Sequence, residues 1–441
     1  MDKKKISIIP LGCPKNDVDS ELIAGAFKKS GYTIEWDHMT GETVVINTCG
    51  FIRDAIDESL DAIMQAIQAK RDGRIKKIVV TGCLPQRFAR KLTLQFKDVD
   101  LFLGVNGFEN IPQLLEKERK GTSLVARPLV SYPEQLERVP YRGNSCVYIK
   151  IADGCSNRCS YCVIPVIKGK LKSREKLDIV DEVKSLVDRG AAEIDIIAQD
   201  TMNFGKDRGG NELIPLLSGL EKINGLKWIR LNYLYPSHIT DEFLSFVGDS
   251  EKVLDYFDIP LQHTSDRILR LMNRQGSSDD IKALIEKIWK RIQAPFLRTT
   301  VIVGFPGETE NDFMQLLEFF NEYKFHRIGV FPYSREAPAP ASTMRGQVPQ
   351  KKITDRMNTL NDLAQKVMHD ASSDFIDKTY EALIEGTDPS DHSVIIARPW
   401  FLAPEIDGYI MIYNAGNHSK GQFGMVRITD AVGVDLVGEF V

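Results

Sequence analysis

Seven cysteines stand at positions 13, 49, 83, 146, 155, 159 and 162, and two sets of three are spaced for metal chemistry. Cys155-Ser-Asn-Arg-Cys159-Ser-Tyr-Cys162 lies in a Gly-, Ser- and Asn-rich loop directly after the apolar run VYIKI. Spacing this close lets one loop wrap three thiolates around a single cubic cluster, which has four irons. Three ligands leave one iron open, and the amino and carboxylate groups of a methionine moiety can chelate an open position. A structural zinc site wants four ligands, and none of the seven histidines lies near this loop.

Cys13, Cys49 and Cys83 each follow an apolar run, as IIPLG-Cys13, VVINT-Cys49 and IVVTG-Cys83. In a parallel sheet three such positions gather at the carboxyl ends of the strands, where open α/β folds bind ligands. Singly, each could be a buried core thiol. Together they offer a second shared site, again with three thiolates and no evident fourth. Cys146, at the start of a strand, matches neither set and reads as core.

The elements that must position these loops fall into three regions. Expected boundaries are 1–128 for an N-terminal α/β domain, 129–145 for a Pro-, Gly- and charge-rich linker, 146–377 for a central core and 378–441 for a small β domain. In the first region KISIIPLG, TVVINT, KKIVVTG and DLFLGV alternate with amphipathic helices, a βαβ pattern with a buried parallel sheet. Six runs in the second (VYIKI, EIDIIAQ, KWIRLNYL, YFDIPLQ, LRTTVIVG and RIGVFPYS) alternate with helices. Six β/α units fall short of the eight of a closed barrel, so an open, partial barrel is expected. Thr309, three residues before Asp312, is placed to cap the helix after VIVGFPGE. A long polar helix near Lys351–Lys378 leads to five short β runs, read as a small all-β barrel.

Composition limits the class. The 441 residues are 43% apolar and 27% charged, as in a globular protein. A net charge of -4 gives no general grip on phosphate backbones. No apolar run reaches the ~18 residues of a membrane span, and the basic N-terminus lacks a signal-peptide core. An odd cysteine count without an export signal argues against a disulfide framework and for the cytoplasm.

The three-then-two cysteine spacing, with Tyr161 before the last cysteine, resembles the radical S-adenosylmethionine superfamily. The resemblance implies a 4Fe-4S cluster on Cys155, Cys159 and Cys162 that reductively cleaves S-adenosylmethionine to a 5′-deoxyadenosyl radical. Val301-Ile-Val-Gly304-Phe-Pro-Gly307-Glu308 is similar to that superfamily's cofactor-contacting strand end, although an ordinary strand-to-helix turn would look the same. With the second trio and the terminal β barrel, of the TRAM type, the whole chain resembles the methylthiotransferases. These replace an unactivated C–H by C–SCH3, which implies an auxiliary 4Fe-4S cluster on Cys13, Cys49 and Cys83. Tyr161, Gly304, Glu308, Arg174 and Asp200 are candidates for binding the cofactor, with His263 and Arg298 as further residues near strand ends.

LGCPKNDVDSE, NTCGFIRDAIDES and ARPWFLAPEIDG are similar to the branch that modifies an aspartate of a small-subunit ribosomal protein. The branch acting on tRNA adenosines usually has Gln-Met where Pro14-Lys15 stand. Charge points the same way: residues 378–441 hold four Lys or Arg against nine Asp or Glu, a poor surface for RNA and a complementary one for a basic protein. A tRNA methylthiotransferase, and an RNA- or ribosome-binding protein with structural zinc, are the competing readings. Neither the electron donor nor the sulfur source is legible.

Overall fold

The computed structural model describes residues 4–117, 121–128, 137–413, 416 and 418–441. The expected linker 129–145 therefore lies partly outside the described residues.

Six parallel strands form the first sheet: β1 (Lys5–Pro10), β2 (Thr33–Trp36), β3 (Thr43–Thr48), β4 (Lys77–Gly82), β5 (Leu101–Leu103) and β6 (Thr122–Leu124), in the order β2-β1-β3-β4-β5-β6. β3 is buried at every residue and β4 at all but its first, which is why they read as continuous apolar runs. Three helices follow the cysteine-bearing turns: α1 (Pro14–Lys29), α2 (Arg53–Arg71) and α3 (Cys83–Gln95). The apolar side chains of this region divide into two clusters, one on each side of the sheet, so neither face of the central strands is left for polar residues.

The central region carries β7 (Cys146–Lys150), a two-residue pair β8 (Ala152–Asp153) and β9 (Lys172–Ser173), then β10 (Glu193–Ile197), β11 (Trp228–Leu231), β12 (Tyr256–Asp258), β13 (Phe296–Val303) and β14 (Arg327–Pro332). Two three-stranded parallel sheets, β7-β10-β11 and β12-β13-β14, meet through the parallel bridge between Ile229 and Val253. This is the expected six-stranded partial barrel, with a seam between β11 and β12. Its helices pack outside over one large apolar cluster. Thr309 and Asp312 form the expected capping box, each satisfying the other's backbone N–H.

After the helix Gln350–Ser372 come β15 (Thr379–Thr387), β16 (Val394–Pro399), β17 (Ile410–Tyr413), β18 (Phe423–Val432) and β19 (Asp435–Phe440), closed as β15-β16-β17-β19-β18. The β17–β19 pair is parallel, and the others are antiparallel. This barrel shares its core with Trp228, Leu254, Tyr256 and Phe296, residues at or near the starts of central strands. Two buried charge clusters add to that seat. Arg398 pairs with Glu193 and Glu385, while Asp407 accepts from Tyr256 Oη at 2.7 Å and from Arg298 Nε at 3.2 Å. Among the described residues no helix is long and apolar enough to cross a membrane.

Candidate metal and radical site

All three N-terminal cysteines fall where a strand hands over to a helix. Cys13 is the extended N-cap of α1, with Pro14 next; Cys49 follows β3; Cys83 opens α3. Side chains lace these turns together. Asn16 Nδ2 donates to Leu11 O at 2.8 Å and Thr48 O at 3.1 Å, and Asn47 Nδ2 donates to Asn16 O at 2.9 Å. Thr48 Oγ1 donates to Thr81 O at 2.6 Å, and Ser59 Oγ both donates to Cys49 O and accepts from Cys49 N–H. Close approach also needs small residues. Gly12 has φ +95°, and a Cβ there would lie 2.6 Å from Cys49 Cβ.

The second trio is held by backbone. Cys155 N–H donates to Gly169 O and Cys162 N–H to Cys159 O, both at 3.1 Å. Ser160 is tied at N–H and Oγ to Met272 O and Leu271 O, at 2.9 and 2.7 Å, and Asn157 Nδ2 donates to Asp200 Oδ2 at 2.7 Å.

Both trios line one cavity of about 340 Å³. Lys15, Tyr161, Lys168, Tyr233, Tyr235 and Arg274 share its wall with Phe51 and Ile164. The two sheets thus point their carboxyl ends at each other across a common space, the place where α/β folds bind ligands. All seven thiols are free. Burial pushes Cys49 and Cys155 up to about 11 and Cys162 up to about 12, and it raises Cys83 further. Such thiols keep their protons at neutral pH until a metal draws them off. The donor set fits two iron–sulfur clusters: soft sulfur ligands, three and three, unpaired with one another and sharing a cavity.

Tyr161 lines the cavity; Gly304, Glu308, Arg174, Asp200, His263 and Arg298 are not among its lining residues. Glu308 accepts from Gly304 N–H at 2.8 Å and from Arg356 Nη1 at 2.7 Å, closing the strand-to-helix turn. Arg174 pairs with Glu182 and donates to Lys150 O. Asp200 holds Asn157, Asn203 and His238, so it bears on the cysteine loop through Asn157. His263 is fully buried, with Nδ1 accepting from the Thr264 and Ser265 N–H groups. Arg298 sits near the start of β13, pairing with Asp258 and Asp407 at the far end of the barrel. The strand end it occupies is the amino end, opposite the cysteine loops. Cys146 lies within 4.8 Å of Glu193 and Asp195 donor atoms, but Glu193 is already held between Arg230 and Arg398.

Sequence reasoning passed over Gln199, Tyr233, Tyr235, Gln262 and Arg274 and read Lys15 only as a branch marker with Pro14; all of them but Pro14 line the cavity. Gln199, Tyr233 and Gln262 closely follow central strands, the same signal that singled out Asp200.

A buried knot of charge joins α1 to the core beside the cavity. Lys168 Nζ lies 3.1 Å from Asp19 Oδ2 and 3.1 Å from Asp153 Oδ2, and Lys150 binds the same two acids. Fully paired, such a knot fixes relative orientation more than it adds stability.

Residues 149–320 match the Radical SAM superfamily, 5–104 the uncharacterized protein family UPF0004 and 376–441 the TRAM domain. The chain is 40% identical to the ribosomal protein uS12 methylthiotransferase RimO of Geotalea uraniireducens, over 100% of this chain and 99% of the relative. It is 41% identical to that of Syntrophotalea carbinolica, over 100% and 98%. The chain belongs to the RimO family. Among solved structures, the radical S-adenosylmethionine methyltransferase TsrM of Kitasatospora setae superposes with a TM-score of 0.56 at 16% identity, covering 77% of each chain. The cobalamin-dependent enzyme OxsB gives 0.54 at 12% identity, covering 83% of this chain and 56% of its own. At those identities the likeness is one of fold. The UPF0004 match spans Cys13, Cys49 and Cys83, and the Radical SAM match spans Cys155, Cys159 and Cys162.

Proposed function

We propose that the chain is a methylthiotransferase that replaces a C–H at the β-carbon of an aspartate in ribosomal protein uS12, in the cytoplasm. The observation that carries this reading is the single cavity shared by two thiol trios. Cys155, Cys159 and Cys162 would hold the cluster at which S-adenosylmethionine is cleaved, and Cys13, Cys49 and Cys83 the auxiliary one. Bound there, the clusters supply the electron for that cleavage and a site for the sulfur to be transferred.

The chain's own residues do the rest. Asn157 and Ser160 pin the central cysteine loop to Asp200 and Leu271, so its thiols are presented without reorganisation. Apolar side chains such as Phe51 and Ile164 keep water from the reacting space. The Lys150–Asp19–Lys168–Asp153 knot holds the two trios in register across it. We assign the auxiliary cluster to residues 1–128, the radical chemistry to 146–377 and substrate contact to 378–441, where acids outnumber bases.

Anaerobic reconstitution should give about eight irons per chain, four per cluster. Mass spectrometry of uS12 and of tRNA from a deletion strain decides the substrate. Loss of the methylthio group from uS12 supports the reading, and loss from tRNA alone rejects it.

A further inference from the structure

Among the described residues, three cationic side chains line the cavity: Lys15, Lys168 and Arg274. Two are already engaged. Lys168 is held by Asp19 and Asp153, and Arg274 lies 4.1 Å over the Tyr235 ring while donating to Pro260 O. Lys15 is different. Its Nζ stands 3.4 Å from the Tyr233 ring centroid, has the Tyr233 side chain as a neutral partner, and makes a long bond, 3.4 Å, to Ala198 O. Among the described residues no carboxylate lies within 4.0 Å of it, yet the residue is only 8% exposed. An ammonium carries three donors, and a buried cation with no carboxylate in contact gains from an anion that arrives to pair with it. The lysine is two residues from Cys13, on the auxiliary side of the space that both trios face.

We propose that Lys15 is the counter-charge for the side-chain carboxylate of the incoming aspartate, and that it selects aspartate over asparagine at the modified position. This rests on the substrate reading above and deepens it. The recognised chemistry is a peptide carboxylate adjoining the carbon to be modified. S-adenosylmethionine carries a carboxylate too, so the test has an arm for each source.

Equilibrium binding to the anaerobically reconstituted enzyme, with S-adenosylmethionine present and no reductant, avoids turnover. The probes are two fluorescent peptides copying the uS12 segment, one with aspartate and one with asparagine at the modified position. The wild type should prefer the aspartate peptide by about ten- to a hundred-fold, the range of a charge-assisted hydrogen bond. Lys15→Met should bind both peptides as the wild type binds the asparagine one, with iron content and S-adenosylmethionine affinity unchanged. Lys15→Arg, which keeps the charge, should retain most of the preference. A Lys15→Met enzyme that still prefers aspartate overturns the inference. So does one that loses S-adenosylmethionine affinity with the peptide preference intact, since the lysine then serves the cofactor. A wild type that takes neither peptide overturns the substrate reading and this inference with it.

Discussion

Gly50 offers the sharpest test of whether the N-terminal trio is a built site. Its φ is not positive, so alanine there costs no backbone strain. A Cβ, however, would lie 2.8 Å from the carbonyl carbon and oxygen of Cys83 and from Leu84 Cα, all backbone atoms. Ordinary contact begins near 3.4 Å, so the start of α3 must retreat by about 0.6 Å. Overpacking of this kind costs about 1–3 kcal/mol, which a protein this size survives. Metal–ligand distances tolerate only about 0.2 Å. Gly50→Ala should therefore fold, with a modest fall in melting temperature, yet bind about four irons instead of about eight. It should keep S-adenosylmethionine cleavage and lose methylthiolation. Iron and sulfide analysis after anaerobic reconstitution, beside a thermal melt, reads all of this. A Gly50→Ala protein that loads its full complement of iron would refute the argument that Cys83 must be held in place to ligate.

Two other perturbations follow from the charge pattern. Arg398→Met leaves Glu193, fully buried, with Arg230 as its remaining guanidinium; a stability loss of about 3–5 kcal/mol is expected in denaturant melts, with part restored by adding Glu193→Gln. A loss below about 1 kcal/mol would mean that the barrel's seat does not depend on this pair. Burial, together with Glu405, Glu21 and Asp37, raises Asp17 to about 7 despite Arg142. Because the folded value lies above the unfolded one, the stabilising contribution is complete below about pH 4 and lost as pH rises through 7, by at most about 4 kcal/mol. Asp17→Asn should therefore gain on the wild type between pH 5 and pH 8, and melts that run parallel over that range would contradict it.

The parallel strands and the five barrel strands were legible because burial on both faces, or regular alternation between turns, leaves a plain apolar pattern. β2 (Thr33–Trp36) and β6 (Thr122–Leu124) escaped notice because they are the sheet's two short edge strands, partly exposed. The pair β8–β9 is too short for any period to register. The cysteines stood out because strand-end spacing is a one-dimensional signal for a three-dimensional gathering. The remaining cavity residues were harder. Position after a strand fixes which end of the sheet a side chain occupies, not the direction in which it points. Thus Gln199 faces the cavity while Asp200, the next residue, turns to Asn157 and His238. Lys15 stood out only with Pro14 as a branch marker, and nothing placed it in the cavity, since a lysine in the first turn of a helix is ordinarily solvated.

The seat of the C-terminal barrel has a consequence for how a substrate must be shaped. The barrel grips the amino ends of the central strands, through Glu193, Tyr256 and Arg298, whereas the cysteine loops crown the carboxyl ends. The longest of these strands, β13, has eight residues, which at about 3.3 Å each sets the two ends roughly 25 Å apart. Anything moored on the barrel's acidic outer wall must therefore extend about eight residues of stretched chain along the flank before its tip enters the chemistry. A protruding loop on a folded body meets that reach; a flat epitope does not.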